Sequence, residues 1–317
     1  MALYIHALYT AIMMSMDRPY YKEPVFRPPS EADSLLIQAT EGCTHKCTFC
    51  ISNFGKKYIV RPVEEIKLDI DAAKRIHGPN VHRVFFLDGN AMSMPFDALL
   101  EITKHARETF PRLERVGVYA CGEDVLNKTD QQLLALADAG LGIAYVGLES
   151  GDAEILKEVN KRTTPEQLVH AARKLMRSGI TFSGTIILGI AGTDLKKSHD
   201  HAINTARMIS QMNPDDNQTW YIGALTLMIP PHTAISTNVK AGRFQPMDEV
   251  QIVGELKTLI ENIDDSVHDC IFRSNHASNY LVLKGILANE KQALLDQIDS
   301  ALANPSRYLR PEFYRGL

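Results

Sequence analysis

Three cysteines stand within eight residues, in Cys43-Thr44-His45-Lys46-Cys47-Thr48-Phe49-Cys50. Thiolates are the usual ligands of iron–sulfur clusters, and three on one short loop can hold three irons of a [4Fe-4S] cube. The fourth iron then lacks a protein ligand and is open to a substrate or cofactor. A structural zinc ion is the competing occupant, but it asks for four ligands. Cys121 and Cys270 stand alone, so a zinc site would have to recruit His45 from inside the tight loop. The polar Thr44, His45, Lys46 and Thr48 between the thiols argue against a chance group of core cysteines. An odd total of five cysteines, three of them clustered, argues against a disulfide framework and for a reducing compartment.

Further candidates sit in short polar stretches along the chain. Leu87-Asp88-Gly89-Asn90 offers a carboxylate beside a glycine that permits close backbone approach. Tyr119-Ala120-Cys121 offers a phenol and a thiol; Cys121 reads as a hydrogen-atom donor, a substrate ligand or a small core residue. Gly147-Leu148-Glu149-Ser150-Gly151 offers a second carboxylate, although Ser150 and Asp152 also suit a helix N-cap. Lys161 and Arg162 are adjacent cations, and a bidentate clamp would need the arginine. The stretch 184–193 is glycine-rich around Gly189, but no Gly-Lys-Ser/Thr follows it, so it is not a phosphate loop. Gly140-Leu141-Gly142 has Tyr145 where a dinucleotide fingerprint needs a third glycine. His232 follows Pro231 in a turn, His199 and His201 read as surface residues, and Cys270 reads as core.

The elements that must position these residues alternate. Apolar runs at 34–40, 84–87, 116–120, 143–148, 180–188 and 221–229 read as strands. Helical periodicity falls between them: 62–76 opening on Pro62, 96–110, a Thr129-capped helix stopped by Gly140, 152–158, 165–177 and 194–212. Six strands alternating with helices predict an α/β fold on a parallel sheet, and the lack of a switch-point signal favours a barrel over a doubly wound sheet. Two amphipathic helices, 248–263 and 289–303, lie beyond the repeat. Residues 1–33 hold Pro19, Pro24, Pro28 and Pro29 with no clean period and read as an irregular arm on the main domain.

C-x3-C-x2-C after the first strand, with Phe49 before the last cysteine, resembles the signature of the radical SAM superfamily. The resemblance covers about residues 34–235 and implies a partial (β/α)6 TIM-type barrel, with arm 1–33 and a C-terminal helical extension, 236–317, closing it. It implies that Cys43, Cys47 and Cys50 hold the cluster and that S-adenosylmethionine binds the open iron. Reductive cleavage there gives a 5'-deoxyadenosyl radical that abstracts a substrate hydrogen. Asp88, Gly89 and Asn90 stand where the family has a Gly-Gly-Glu-like turn for the methionine ammonium. Glu149 and Ser150 fall in a Gly-Leu-Glu-Ser-Gly stretch similar to that of the MiaB- and HemN-like branch, which implies contact with the ribose or methionine end. Lys161, with Arg162 beside it, takes the place of an arginine that pairs with the methionine carboxylate. The strand ending at Gly189 resembles the adenine-side strand, with Ala191 replacing a proline. Tyr119, Cys121 and His232 are then catalytic candidates at the barrel mouth. Asn275-His276-Ala277-Ser278-Asn279-Tyr280 and Arg310-Pro311-Glu312 resemble segments of stand-alone members; the former reads either as closing the barrel's open side and shaping the substrate pocket or as a structural loop. No auxiliary cysteine cluster and no Asp-x-His-x-x-Gly for cobalamin are present.

The balance of 34 Lys+Arg against 38 Asp+Glu, net −4, argues against a protein living on nucleic-acid phosphates. A tRNA-modifying enzyme and a non-catalytic electron-transfer protein are the rivals to a small-molecule enzyme. No run of about 18 apolar residues marks a membrane span. The stretch before Asp17 lacks the basic region of a secretory signal, which predicts a cytoplasmic protein; the resemblance implies an oxygen-sensitive enzyme reduced by flavodoxin or ferredoxin. Met13, Met14 and Met16 leave the start residue open.

Overall fold

The computed structural model describes residues 18–316. The apolar start of the arm and the three candidate start methionines lie outside the described residues. From the arm the chain enters β1 (Leu35–Gln38) and β2 (Thr40–Glu41), crosses the cysteine loop to β3 (Ile59–Val60), and continues through α1 (Val63–His77), β4 (Arg83–Leu87) and α2 (Phe96–Thr109). It then forms β5 (Arg115–Ala120), α3 (Gly122–Leu126), α4 (Asp130–Ala139), β6 (Leu141–Glu149), α5 (Ala153–Glu158) and α6 (Pro165–Arg177). β7 (Thr181–Leu188), α7 (Leu195–Gln211), β8 (Trp220–Thr226) and α8 (Ala234–Lys240) complete the repeat. Beyond it lie α9 (Glu249–Asn262), β9 (Cys270–Arg273), β10 (Lys284–Ile286), α10 (Lys291–Ala303) and α11 (Pro305–Tyr308).

Local chemistry sets the helix ends. Thr129 and Gln132 form a capping box at α4, and Gly140 ends that helix at φ 114, where a side chain would be strained. Thr164 with Gln167 does the same at α6, and Asp248 with Gln251 at α9.

The large sheet runs β1-β4-β5-β6-β7-β8-β9-β10. Every neighbouring pair from β1 to β9 is parallel, and β10 returns antiparallel to β9. β1 and β10 do not pair, so the sheet is an open arc rather than a closed barrel. Its outer face meets the helices in a core with Phe86, Val118, Phe182, Trp220 and Phe272 fully buried. Inside the arc a smaller apolar cluster of Phe85, Leu87, Ile143 and Tyr145 packs with Tyr119 and Val25. The small ribbon β2–β3 pairs Thr40 with Val60 and closes the base of the cysteine loop.

Three expectations need correction. The segment 236–317 is not only helical: Cys270–Arg273 adds a seventh parallel strand beside β8, too short at four residues to announce itself by alternation. The strand expected to reach Ile229 stops at Thr226, where its partner β7 ends at Leu188. His201 is fully buried rather than on the surface, because α7 packs against α9, where Glu255 meets it; His199 is exposed. Among the described residues no helix is long and apolar enough to cross a membrane.

Candidate active site

The cysteine loop is held from both sides of the arc. Gly42 turns into it at φ 67, with the Lys57 backbone 3.2 Å from where a side chain would begin. Thr48 N–H donates to Val159 O at 3.0 Å, Ile235 N–H donates to Thr48 O at 2.9 Å, and Asn160 Nδ2 donates to Lys46 O at 2.9 Å. Cys43, Cys47 and Cys50 are free, half-buried thiols. All three line one cavity of about 320 Å3, together with Asp88, Gly89, Tyr119, Cys121, Glu149 and Lys161. These residues come from the ends of β4, β5 and β6, so the cavity sits at the C-terminal mouth of the parallel strands, where parallel βα folds build their sites.

Glu149 closes β6 in a strained conformation, φ 62, just after a register shift between Gly147 and Glu149. Left-handed backbone at a non-glycine residue costs about 1–3 kcal/mol and collects at functional sites. Its Oε1 accepts from Lys161 Nζ at 2.8 Å, and both side chains are at least nine-tenths buried. Asn160 precedes the lysine at φ 60, a conformation asparagine tolerates, and this turn sends Lys161 inward. A side chain at Gly147 would collide with the Glu149 carboxylate and the Lys161 ammonium, so the glycine makes room for the pair. Burial opposes the charge on Lys161, but the Glu149 carboxylate outweighs it and raises its pKa.

Asp88 is buried and already carries a partner that the sequence did not suggest: Lys56 Nζ lies 2.6 Å from its Oδ2. Gly42 N–H donates to the same oxygen at 3.4 Å. Burial raises the Asp88 pKa, against the pull of Lys56. Gly89 fits closely here, because a Cβ would stand 2.6 Å from Asn53 Oδ1 and 3.0 Å from Cys43 Cβ. Tyr119 packs edge-on against Phe85 at 5.1 Å, and burial raises its pKa.

The other candidates do not reach this cavity. Ser150 is buried with its hydroxyl 2.8 Å from His201 Nδ1. Asn90 donates to Asp124 Oδ2 at 2.6 Å and to Thr44 Oγ1 at 3.1 Å, bracing the loop from behind. Arg162 is exposed. Gly189 N–H donates at 2.7 Å to Glu255, away from the thiols. His232 is exposed at φ 68 and stacks on Phe54 with centroids 5.3 Å apart.

The donor set suits an iron–sulfur cluster. Burial pushes the Cys47 thiol up to about 12 and raises Cys50, while contact with the Cys121 thiol pulls Cys43 down to about 7. The raised Cys47 and Cys50 thiols would be held as thiolates by a bound cationic centre such as iron. Among the described residues no three His, Cys, Asp or Glu side chains gather tightly enough to hold a single metal ion. Thiols spread around one cavity, each able to take its own iron, match a cube better than a mononuclear zinc site.

The family model described as Radical SAM superfamily matches residues 37–201, over half of the chain. GTP 3',8-cyclase of Chlorobaculum tepidum is 26% identical over 60% of this chain and 57% of its own length. A biotin synthase of Prochlorococcus marinus is 29% identical over 50% of this chain and 44% of its own. The crystal structure of methylornithine synthase superposes with a TM-score of 0.50 at 18% identity, covering 72% of this chain and 62% of that one, a likeness of fold. The chain spans between about a third and just over half of the curated relatives it matches.

Proposed function

The chain belongs to the radical SAM superfamily, whose members are enzymes using a [4Fe-4S] cluster and S-adenosylmethionine, and from that membership we propose that its substrate is a small molecule held inside the arc. Cys43, Cys47 and Cys50 would hold the cluster; Asp88, Gly89, Glu149 and Lys161 would hold S-adenosylmethionine. The catalytic core is residues 34–235, with the arm 1–33 and the segment 236–317 around it. The observation that carries this reading is the opening of all three cysteines and the buried Glu149–Lys161 pair on one cavity at the strand ends.

When bound, the two cofactors supply one-electron reductive cleavage of the sulfonium carbon–sulfur bond and radical chemistry on the substrate. The protein's part is to bind, orient and dry the site. Glu149 would accept hydrogen bonds from an ammonium or from ribose hydroxyls, and Lys161 would donate to a carboxylate. The two are held in one low-dielectric pocket, each paired with the other until a zwitterionic amino-acid end arrives. Gly89 lets the backbone come close. Phe26 and Pro28 from the arm, with Phe49, Ile187 and Leu225, supply apolar walls that exclude water. Tyr119 and Cys121 face the cavity and are the residues that could meet the substrate; His232, Arg162, Ser150 and Asn90 act only through the scaffold.

The lumen inside the arc and the net charge of −4 support a small molecule over tRNA. A flavodoxin or ferredoxin would supply the electron. Anaerobically reconstituted protein should carry about four irons and four sulfides, its reduced EPR signal should change when S-adenosylmethionine is added, and it should not shift bulk tRNA in a gel. Stoichiometric zinc without sulfide would overturn the reading.

A further inference from the structure

Below the cysteine cavity the arc holds a second space of about 610 Å3. Pro28, Pro29, Tyr145, Thr185, Leu225 and His276 line both, so one lumen runs from the thiols down between the strands. Register places Gly147, Thr185, Gly223 and Arg273 side by side on β6, β7, β8 and β9, one step below Glu149.

The chemistry of this level is unusual for a parallel sheet, whose strands are normally apolar on both faces. On β7 the outward Phe182 and Ile186 are core, whereas Thr181, Ser183 and Thr185 line the lumen. Two of the arginines that line it have acidic neighbours: Arg115 Nη1 lies 2.7 Å from Glu31, and Arg83 Nε lies 3.9 Å from Glu114. Arg273 has no ion pair among the described residues. The residue is half-buried; its Nε is buried without a hydrogen-bond partner, and its guanidinium lies 5.8 Å from the centre of the Tyr221 ring. Buried donors are rarely left unpaired. Beside it, a Cβ on Gly223 would meet nothing nearer than Gly184 O at 3.9 Å, so the space next to Arg273 is open.

We propose that Arg273 anchors the anionic end of the substrate. The substrate is then a small, oxygen-rich molecule with a carboxylate or phosphate group. Its polar body lies along the hydroxyls of β7 and past Gly223 toward the cysteine cavity. Guanidinium suits this task because its planar fork matches either group in a bidentate manner. The inference rests on the reading that the reaction takes place in the cysteine cavity.

The test uses the full-length, reconstituted protein. Glycerol 3-phosphate, succinate and neutral glycerol are titrated in turn and followed by saturation-transfer NMR. One of the two anions should bind and glycerol should not, and the preferred anion separates the phosphate from the carboxylate source. Arg273→Gln should weaken that anion at least about tenfold, as loss of a charge-assisted pair requires; Arg273→Lys should retain part of it. Gly223→Leu fills the adjacent space without altering charge and should weaken it too. Iron content and melting midpoint verify that each variant is folded. Wild type that binds neither anion, or folded Arg273→Gln and Gly223→Leu proteins that bind as wild type does, overturns the inference. Cofactor cleavage is measured separately on the wild-type sample. Cleavage without anion binding removes this inference alone, whereas Arg273-dependent binding without cleavage leaves an anion site at Arg273 but removes the reading of the cysteine cavity and with it the assignment of that anion as substrate.

Discussion

Removing Glu149 should expose how the site stores its charge. Glu149 and Lys161 are paired at 2.8 Å with side chains 10% and 5% exposed, so solvent screens them little. Taking away one member of a buried ion pair leaves an uncompensated charge and costs about 3–5 kcal/mol. For a chain of 317 residues that is roughly 4–8 °C in melting midpoint. Glu149→Ala should therefore melt well below wild type, and Lys161→Met similarly. The double variant should fall short of the sum of the two losses by at least about 2 kcal/mol, because no charge is then stranded. Backbone adds a second signature. Glu149 sits at φ 62, which glycine adopts freely and alanine does not. Glu149→Gly should thus be more stable than Glu149→Ala by roughly 1 kcal/mol, the reverse of the usual order in a strand. Loss of one charge-assisted contact should also weaken S-adenosylmethionine about ten- to a hundredfold. Anaerobic differential scanning calorimetry of the four variants, with cofactor titration, measures all of this. Additive melting losses, with alanine above glycine at position 149, would refute the reasoning.

Asp88→Asn should cost about 3–5 kcal/mol, because Lys56 is as deeply buried as its partner; urea unfolding checks it. Gly89→Ala should lower iron incorporation, since its Cβ would press on Asn53 and on Cys43 itself; iron analysis after reconstitution decides. Gly254→Ala, inside α9 with nothing within 4 Å of the new methyl, should stabilise by about 0.5–1 kcal/mol in the same unfolding assay. Burial, aided by Arg310, holds the His276 pKa below its usual value, so the native state binds fewer protons than the unfolded chain as pH falls through the ordinary histidine range. Stability should drop from pH 7 toward pH 5, and His276→Gln should drop less; melting midpoints across that range test the sign.

The alternation of strands and helices was legible because long periodic segments carry their own signal. Capped ends such as Thr129 to Gly140 came out to the residue, since capping chemistry is local. β9 was not legible: four residues cannot establish a period, and only the neighbouring strand makes Cys270–Arg273 extended. The cysteine loop and Glu149 were visible as residue types at strand ends. The partners Lys56 and Glu255 were not, because Lys56 reaches Asp88 across 32 positions and Glu255 reaches Gly189 across 66. His201 misled for the same reason: helical spacing gives the face of a helix but not which second helix will cover it. Arg273 carried no motif, and its isolation is apparent only once the lumen is assembled.

The central claim is that the cavity shared by Cys43, Cys47, Cys50, Glu149 and Lys161 is where S-adenosylmethionine is reductively cleaved. Its most direct test is 5'-deoxyadenosine release by fully clustered protein given dithionite or reduced flavodoxin, beside Cys47→Ala, which removes an iron ligand. Slow release from wild type even without substrate, abolished in Cys47→Ala, is the expected result. Wild-type protein with an intact cluster that releases no 5'-deoxyadenosine under any reductant would contradict it.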